Sequence, residues 1–292
     1  MKRTIKEALK RASFCLREAG IENPRAESEL LLANILGIDR LRLLTAQKEL
    51  LTDPDYRKFE NSLKRRANHE PLAYITGEKY FYGRPFVIKP EVLIPRPETE
   101  LLIDQAKGWV KGNTDFVQGG LRVLDLGTGS GVLAITLALE LPFAEVWAVD
   151  IAPAALNLAG QNASLFNLGE RVKFLQGSYF DPLGCINPAP RFNLIVSNPP
   201  YISAAELDRL PASVVRFEPR NALYGGEDGL ECYRAILKKI SLYVEPPAML
   251  VVEIGSTQAQ AVTALFKKSG LFRLIGCRRD LANHPRAILA LL

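Results

Sequence analysis

The apolar run Leu194-Ile195-Val196-Ser197 stops on Asn198-Pro199-Pro200-Tyr201, four residues whose types could hold a planar NH2 group. Two prolines end a strand, because neither donates a ladder hydrogen bond and each keeps the preceding residue extended. The exit is therefore stiff. It leaves the Asn198 amide and the carbonyls of Asn198 and Pro199 unclaimed by regular structure, so another group must satisfy them. Methyl transfer to a planar nitrogen is hindered because its lone pair is delocalised into the adjoining carbonyl or ring. An acceptor pair such as the Asn198 side-chain oxygen and the Pro199 carbonyl would hold both N–H bonds and stabilise the positive charge that develops. Tyr201 could lay its electron-rich face beside that charge. No strong base is required, since a methylated amide nitrogen readily gives up its proton.

A second constellation lies upstream in Asp125-Leu126-Gly127-Thr128-Gly129-Ser130-Gly131, followed about twenty residues later by Asp150. Glycines at 127, 129 and 131 allow a tight turn and a close ligand approach at a helix start. Asp150 stands where an acid accepts the hydroxyls of a ribose. The spacing is G-x-G-x-G rather than the dinucleotide G-x-G-x-x-G. Asp125, just before the loop, would repel a pyrophosphate and attract an ammonium group. These charges favour S-adenosylmethionine as cofactor, since it has a sulfonium and an ammonium and no phosphate.

The elements that must position both groups follow from periodicity. From residue 121 onward, strands (122–126, 145–150, 172–176, 192–196, 248–254, 271–278, 286–292) alternate with helices (130–141, 153–167, 229–243, 257–269). This implies an α/β fold with a mostly parallel sheet covered on both faces. The short link from Arg279 to Pro285 requires the last two strands to be antiparallel neighbours. Residues 4–69 read as helices, with starts at Asn23-Pro24 and Asp53-Pro54 and stops at Gly20 and Gly37. Aromatic and β-branched residues from Tyr74 to Val92 predict a β-hairpin. Leu93-Ile94-Pro95-Arg96-Pro97-Glu98-Thr99-Glu100 then keeps Arg96 extended and leads into an apolar helix. The expected domains are residues 1–73, helical and substrate-recognising; 74–92, a hairpin linker; and 93–292, the catalytic part.

Four scattered cysteines (Cys15, Cys185, Cys232, Cys277) without C-x-x-C spacing argue against a disulfide framework or a zinc site. His69 and His284 are too few for a histidine-rich metal centre, and His284 before Pro285 reads as a turn residue. No run is long and apolar enough for a membrane span, and the basic amino terminus does not read as a secretory or transit signal, so the cytoplasm is expected. The net charge of +5 is uneven. Residues 1–90 hold 18 Lys and Arg against 12 Asp and Glu, notably Lys2, Arg3, Lys6, Lys10, Arg11 and the run Lys64-Arg65-Arg66. This surplus is either a solvated helix face or a docking surface for an acidic partner.

Taken together, the glycine loop, Asp150, the Asn-Pro-Pro-Tyr tetrad and the Leu93-to-Glu100 segment resemble the HemK/PrmC family of protein-(glutamine-N5) methyltransferases. That resemblance spans nearly the whole chain and implies a Rossmann-like class I S-adenosylmethionine-dependent methyltransferase with a small helical amino-terminal domain. It implies that peptide chain release factors are the partners. The methyl acceptor would be the glutamine of their Gly-Gly-Gln motif, held by Asn198, Pro199, Pro200 and Tyr201. It further implies that residues 127–131, Asp150, Tyr179 and Asn198 line the cofactor pocket, and a monomer is expected. The tetrad is shared with adenine-N6 DNA methyltransferases, so nucleic-acid methylation is the rival enzymatic reading; a non-catalytic binding module of the same fold is the third. Against a DNA substrate, the chain lacks a large target-recognition insertion and aromatic-basic interleaving. Two departures from the family stand out. Ser178 and Tyr179 replace an acidic residue and a tryptophan, and Ile254 follows Glu253 where a histidine is frequent, so no role is assigned there.

Overall fold

The computed structural model describes residues 3–113, 116 and 120–292; Lys2, counted above with the basic surplus, lies outside them. The described chain forms two compact units. One holds the residues up to Glu78 together with Pro211–Phe217, and the other holds Lys79–Leu210 and Glu218–Leu292.

The first unit is helical: Ile5–Glu18, Pro24–Leu36, Arg40–Thr45, Asp53–Ala67 and Leu72–Thr76. Thr4 and Glu7 start the first helix with a reciprocal capping box. Gly37 closes the second in the left-handed conformation, as expected from its position. The second helix starts at Asn23-Pro24 as expected, and the start expected at Asp53-Pro54 is shifted by one residue. Asn23 precedes the proline-led helix but its side chain makes no cap bond. The fourth helix is capped by Thr52, one residue earlier than expected, whose Oγ1 accepts from the Asp55 amide. Leu16, Leu32, Leu43 and Phe59 are wholly buried at the centre, each contributing about 1.5–3 kcal/mol by removal from water. In the basic run Lys64 and Arg65 are exposed and Arg66 is half-buried. Arg66 pairs with Glu27 and Arg65 with Glu70 within the unit, while Lys6, Lys10 and Lys64 are exposed. Arg11 likewise pairs with Glu60.

The expected hairpin is shorter than its sequence texture. Tyr74, Ile75 and Thr76 belong to the helix Leu72–Thr76, where Ala73 and Tyr74 are buried, and Gly77 ends it in the left-handed region. Only β1 (Glu78–Phe81) and β2 (Arg84–Val87) pair as strands. Phe86 is wholly buried with its ring 5.2 Å from that of Phe166. The Asn162 side chain accepts from the Val87 amide and donates to the carbonyls of Val87 and Ser130. One buried amide thus ties the hairpin to the glycine loop.

The main sheet comprises β3 (Leu121–Leu126), β4 (Ala144–Asp150), β5 (Val172–Gln176), β6 (Phe192–Ser197), β7 (Val244–Glu253), β8 (Leu274–Arg279) and β9 (Pro285–Leu291), in the order β5-β4-β3-β6-β7-β9-β8. Strands β3 to β7 pair in parallel, and β9 runs antiparallel to both neighbours. The α/β expectation for this part holds. The helix expected over 229–243 ends at Lys239 and continues as a 3-10 turn, and β7 starts at Val244 rather than 248. Its two early prolines, Pro246 and Pro247, cannot donate, which hides the strand start from a pattern reading. Registers Leu126↔Val149 and Leu126↔Ser197 bring the carboxyl ends of β3, β4 and β6 to one level. The Ser197 hydroxyl bonds the Leu126 carbonyl at 2.6 Å and locks two of these ends together.

Candidate active site

At those strand ends lies a cavity of about 320 Å³. Its wall takes residues 126–130 from the glycine loop, 149–152 from the end of β4, 177–179 after β5, and Asn198, Pro199 and Pro200 after β6. Such a crevice beyond the carboxyl ends of parallel strands is where open α/β sheets bind ligands.

The glycine loop is built for close approach. Gly127, Gly129 and Gly131 all have positive φ, at 76°, 56° and 83°. A β-carbon on Gly131 would stand 2.8 Å from Ile135 Cδ1 and 3.0 Å from Ala159 Cβ. That residue must be glycine for the helix Val132–Glu140 to start here. A β-carbon on Gly127 meets nothing within 4 Å, and Gly127 is on the cavity wall, so its backbone is open to the cavity. The amides of Gly127 and Thr128 are held by the Val149 carbonyl at 2.8 and 3.0 Å.

Asp150 accepts from the Gly129 amide at 2.8 Å and the Ala152 amide at 2.9 Å. The carboxylate stands on the cavity wall, where it suits a diol. Burial raises its pKa, and the backbone donors offset part of that shift.

Asp125 differs from expectation. It is fully buried and does not line the cavity. Its Oδ2 accepts from Thr128 Oγ1 at 2.7 Å and from the Ala134 amide at 3.2 Å, so it braces the loop from beneath. Burial pushes its pKa up to about 7, and the direct ammonium contact expected from sequence is replaced by this supporting position. Its Oδ1 has no hydrogen-bond partner among the described residues, leaving a buried acceptor next to a site suited to a cationic ligand. Tyr179 lines the cavity at φ 47°, a strained value for a side chain this large. Burial and the neighbouring Cys232 thiol push its pKa up. Glycine loop, Asp150 and Tyr179 offer acceptors and an aromatic face with no lysine or arginine on the wall, a donor set that fits S-adenosylmethionine better than a phosphate-bearing cofactor.

The tetrad is divided. Asn198, Pro199 and Pro200 are on the wall, whereas Tyr201 stands behind it, packed against the sheet core, with its hydroxyl 3.2 Å from Glu253 Oε1. Stacking of Tyr201 on a substrate is not what this placement offers. The Asn198 Nδ2 donates to Thr99 Oγ1 at 3.1 Å, and Thr99 Oγ1 donates to Glu253 Oε2 at 2.6 Å. No group among the described residues donates to Asn198 Oδ1.

Leu93, Pro95 and Thr99, from the Leu93-to-Glu100 segment singled out in the sequence, line the wall. Several other wall residues escaped the sequence reading: Glu91 and Val92 precede that segment, and Pro219, Asn221, Ala222 and Tyr224 come from the turn after Glu218. Glu218 is buried, accepts from the Ile94 amide, and pairs with Arg96 at 2.5 Å, joining these two segments. The available signal was the cluster Gly225-Gly226 and Gly229 just downstream. Ile202 and Leu223 exchange a backbone bond, and Gly225 donates to the Ile202 carbonyl, so this glycine loop backs the diproline corner.

Residues 7–77 match the PrmC N-terminal domain family, and residues 118–283 match a methyltransferase domain family. A release factor glutamine methyltransferase of Geobacter sulfurreducens is 41% identical over 285 residues, covering 98% of this chain and 94% of the relative. One from Moorella thermoacetica is 39% identical, with 98% of each chain covered. The chain also aligns, at 36% identity, with 57% of the length of a bifunctional methyltransferase of Rickettsia typhi. Among solved structures, the N-terminal domain of human METTL16 in complex with SAH superposes with a TM-score of 0.52 at 16% identity, covering 85% of this chain and 86% of that one, which is a likeness of fold. With full-length identity at this level and both domain families in register, the chain belongs to the release factor glutamine methyltransferase family.

Proposed function

We propose that this protein transfers a methyl group from S-adenosylmethionine to the side-chain amide nitrogen of the glutamine in the Gly-Gly-Gln motif of peptide chain release factors. The observation that carries the reading is the Asn198 carboxamide, one of whose N–H bonds is held by Thr99 while its oxygen accepts from no group among the described residues. An unclaimed carboxamide oxygen suits a substrate that presents a donor, and a primary amide is such a substrate.

The cofactor, when bound, supplies an electrophilic methyl carbon. Gly127, Thr128, Gly129, Ser130 and Gly131 shape the loop that receives it, and Asp150 accepts its ribose hydroxyls. Tyr179 offers a ring to its base, and Asp125 holds the loop through Thr128. Asn198 Oδ1 and the Pro199 carbonyl accept from the two N–H bonds of the substrate amide, with Pro200 stiffening the corner. This fixes the nitrogen in the plane the acceptors define and lowers the energy of the positive charge it develops. The methyl group supplied by the bound cofactor would pass from its sulfur to this nitrogen, which would then lose one proton to water. Tyr201 anchors the corner from behind. The amino-terminal helical unit recognises the release factor, and the enzyme works as a cytoplasmic monomer without a DNA substrate. In support of these last points, the PrmC N-terminal match covers that unit, and among the described residues no helix is long and apolar enough to cross a membrane.

Incubation with labelled cofactor and either a release factor or DNA tests the reading. Mass spectrometry is expected to place one methyl on the Gly-Gly-Gln glutamine. Label on DNA with none on the protein acceptor would reverse it.

A further inference from the structure

The hydroxyl of Thr99 carries one proton, and its direction decides what Asn198 shows to the cavity. Thr99 is the last residue of the 3-10 turn Pro97–Thr99, and Glu253 is the last residue of β7; both are buried, at 2% and 1% exposure. An ionised carboxylate only accepts, so the 2.6 Å contact uses the Thr99 proton on Glu253. The Thr99 oxygen can then only accept, and the group 3.1 Å away must be the NH2 of Asn198. The amide orientation thereby follows from chemistry rather than from a choice between two similar rotamers. Were the relay reversed, with Thr99 donating to Asn198, the NH2 would face the cavity and oppose the N–H bonds of an incoming amide. Glu253 has a second hold on the same corner, because its other oxygen accepts from the Tyr201 hydroxyl at 3.2 Å.

We propose that Thr99 and Glu253 are positioning residues that set the polarity of Asn198, turning its carboxamide oxygen toward the substrate amide while the same carboxylate anchors Tyr201. This rests on the reading that Asn198 receives a substrate NH2. Neither residue touches the reacting atoms. A purely structural role, in which Thr99 merely satisfies a buried carboxylate, predicts loss of stability without a selective loss of turnover.

Thr99→Val keeps shape and removes the hydroxyl, and Thr99→Ser restores it. With the full chain and a release factor as acceptor, Thr99→Val is expected to lower kcat about 100-fold, the scale of a misoriented reacting group. The cofactor dissociation constant by calorimetry should stay within about twofold, whereas Thr99→Ser should keep kcat within about threefold of the parent. A Thr99→Val enzyme within threefold of the parent overturns the proposal. So does a loss that Thr99→Ser fails to rescue, or one matched by lost cofactor binding. Orientation is also readable without any acceptor. In nitrogen-15 spectra the Asn198 side-chain NH2 should exchange slowly in the parent and in Thr99→Ser, and quickly in Thr99→Val. Equal exchange in all three sinks the relay even if release factors prove to be the wrong substrate. Slow exchange with no methylation of a release factor would instead count against the function alone.

Discussion

Gly225 lies so close to Tyr201 that a β-carbon on it would stand 2.8 Å from Tyr201 Cα and 2.6 Å from the Pro200 carbonyl oxygen. The listening side of this contact is backbone, which cannot swing away as a side chain could. Gly225→Ala must therefore displace the diproline corner, at a cost of about 1–3 kcal/mol for overpacking. We expect kcat to fall at least about tenfold, because a shift of about 1 Å at a reacting group has effects of that order or larger. Cofactor affinity should be nearly unchanged. Steady-state kinetics with calorimetry checks this, and an unaltered kcat would show that the corner tolerates the shift.

Asn198→Ala removes the acceptor while leaving the glycine loop and Asp150 in place. Transfer is expected to drop about 100-fold or more, by analogy with loss of a donor or acceptor aimed at developing charge, while cofactor binding remains measurable. Comparable loss of both would mark Asn198 as mainly structural.

Asp150→Ala should do the reverse. Its carboxylate holds the Gly129 and Ala152 amides at 2.8 and 2.9 Å and stands at the cavity edge. Cofactor dissociation constants are expected to rise by about 10-fold or more, since a charge-assisted bond to a hydroxyl is worth about 1.5–3 kcal/mol. Titration calorimetry at saturating protein reads this directly; retained affinity would remove Asp150 from the ribose site.

Turnover should fall as pH drops below about 7. Burial pushes the Glu253 pKa up to about 7, against bonds from Thr99 and Tyr201 and the attraction of Arg286 on β9, with Glu98 raising it further. Tyr233 also faces it, donating to its backbone carbonyl. Once protonated, Glu253 can donate to Thr99, which frees the Thr99 proton for Asn198 Oδ1 and reverses the relay. The acid limb of kcat should vanish in Thr99→Val and persist in Asp125→Asn. Identical limbs in both variants would assign the ionisation elsewhere.

Asp125 carries a stability signature of unusual sign. Its pKa is raised to about 7 by burial in the folded state, against about 3.9 when unfolded. Its contribution is therefore fully present below about pH 3.9 and is lost as pH rises through about 7. Asp125→Asn cannot ionise, so its melting temperature relative to the parent should rise between pH 5 and pH 8. A difference that stays constant across this range would mean that Asp125 ionises as freely folded as unfolded.

Much of this molecule could be read directly from the chain. Strand and helix periods from residue 121 onward dictated a mostly parallel sheet, and the run from Leu194 to Tyr201 marked where it opens onto the cavity, because prolines and glycines restrict the backbone locally. The positive φ of Gly127, Gly129 and Gly131 was legible for the same reason, whereas the bonds that place the loop come from further along the chain, Val149 holding the Gly127 and Thr128 amides and Asp150 the Gly129 amide. What only the tertiary structure decided is contact across long separations. Thr99 meets Glu253 across 154 positions, Ile94 meets Glu218 across 124, and no local pattern encodes either pairing. Asp125 and Tyr201 were placed on the wall by inference, and the fold puts both behind it. Burial and register, which depend on the assembled sheet, turn one into a brace for the glycine loop and the other into an anchor for the corner.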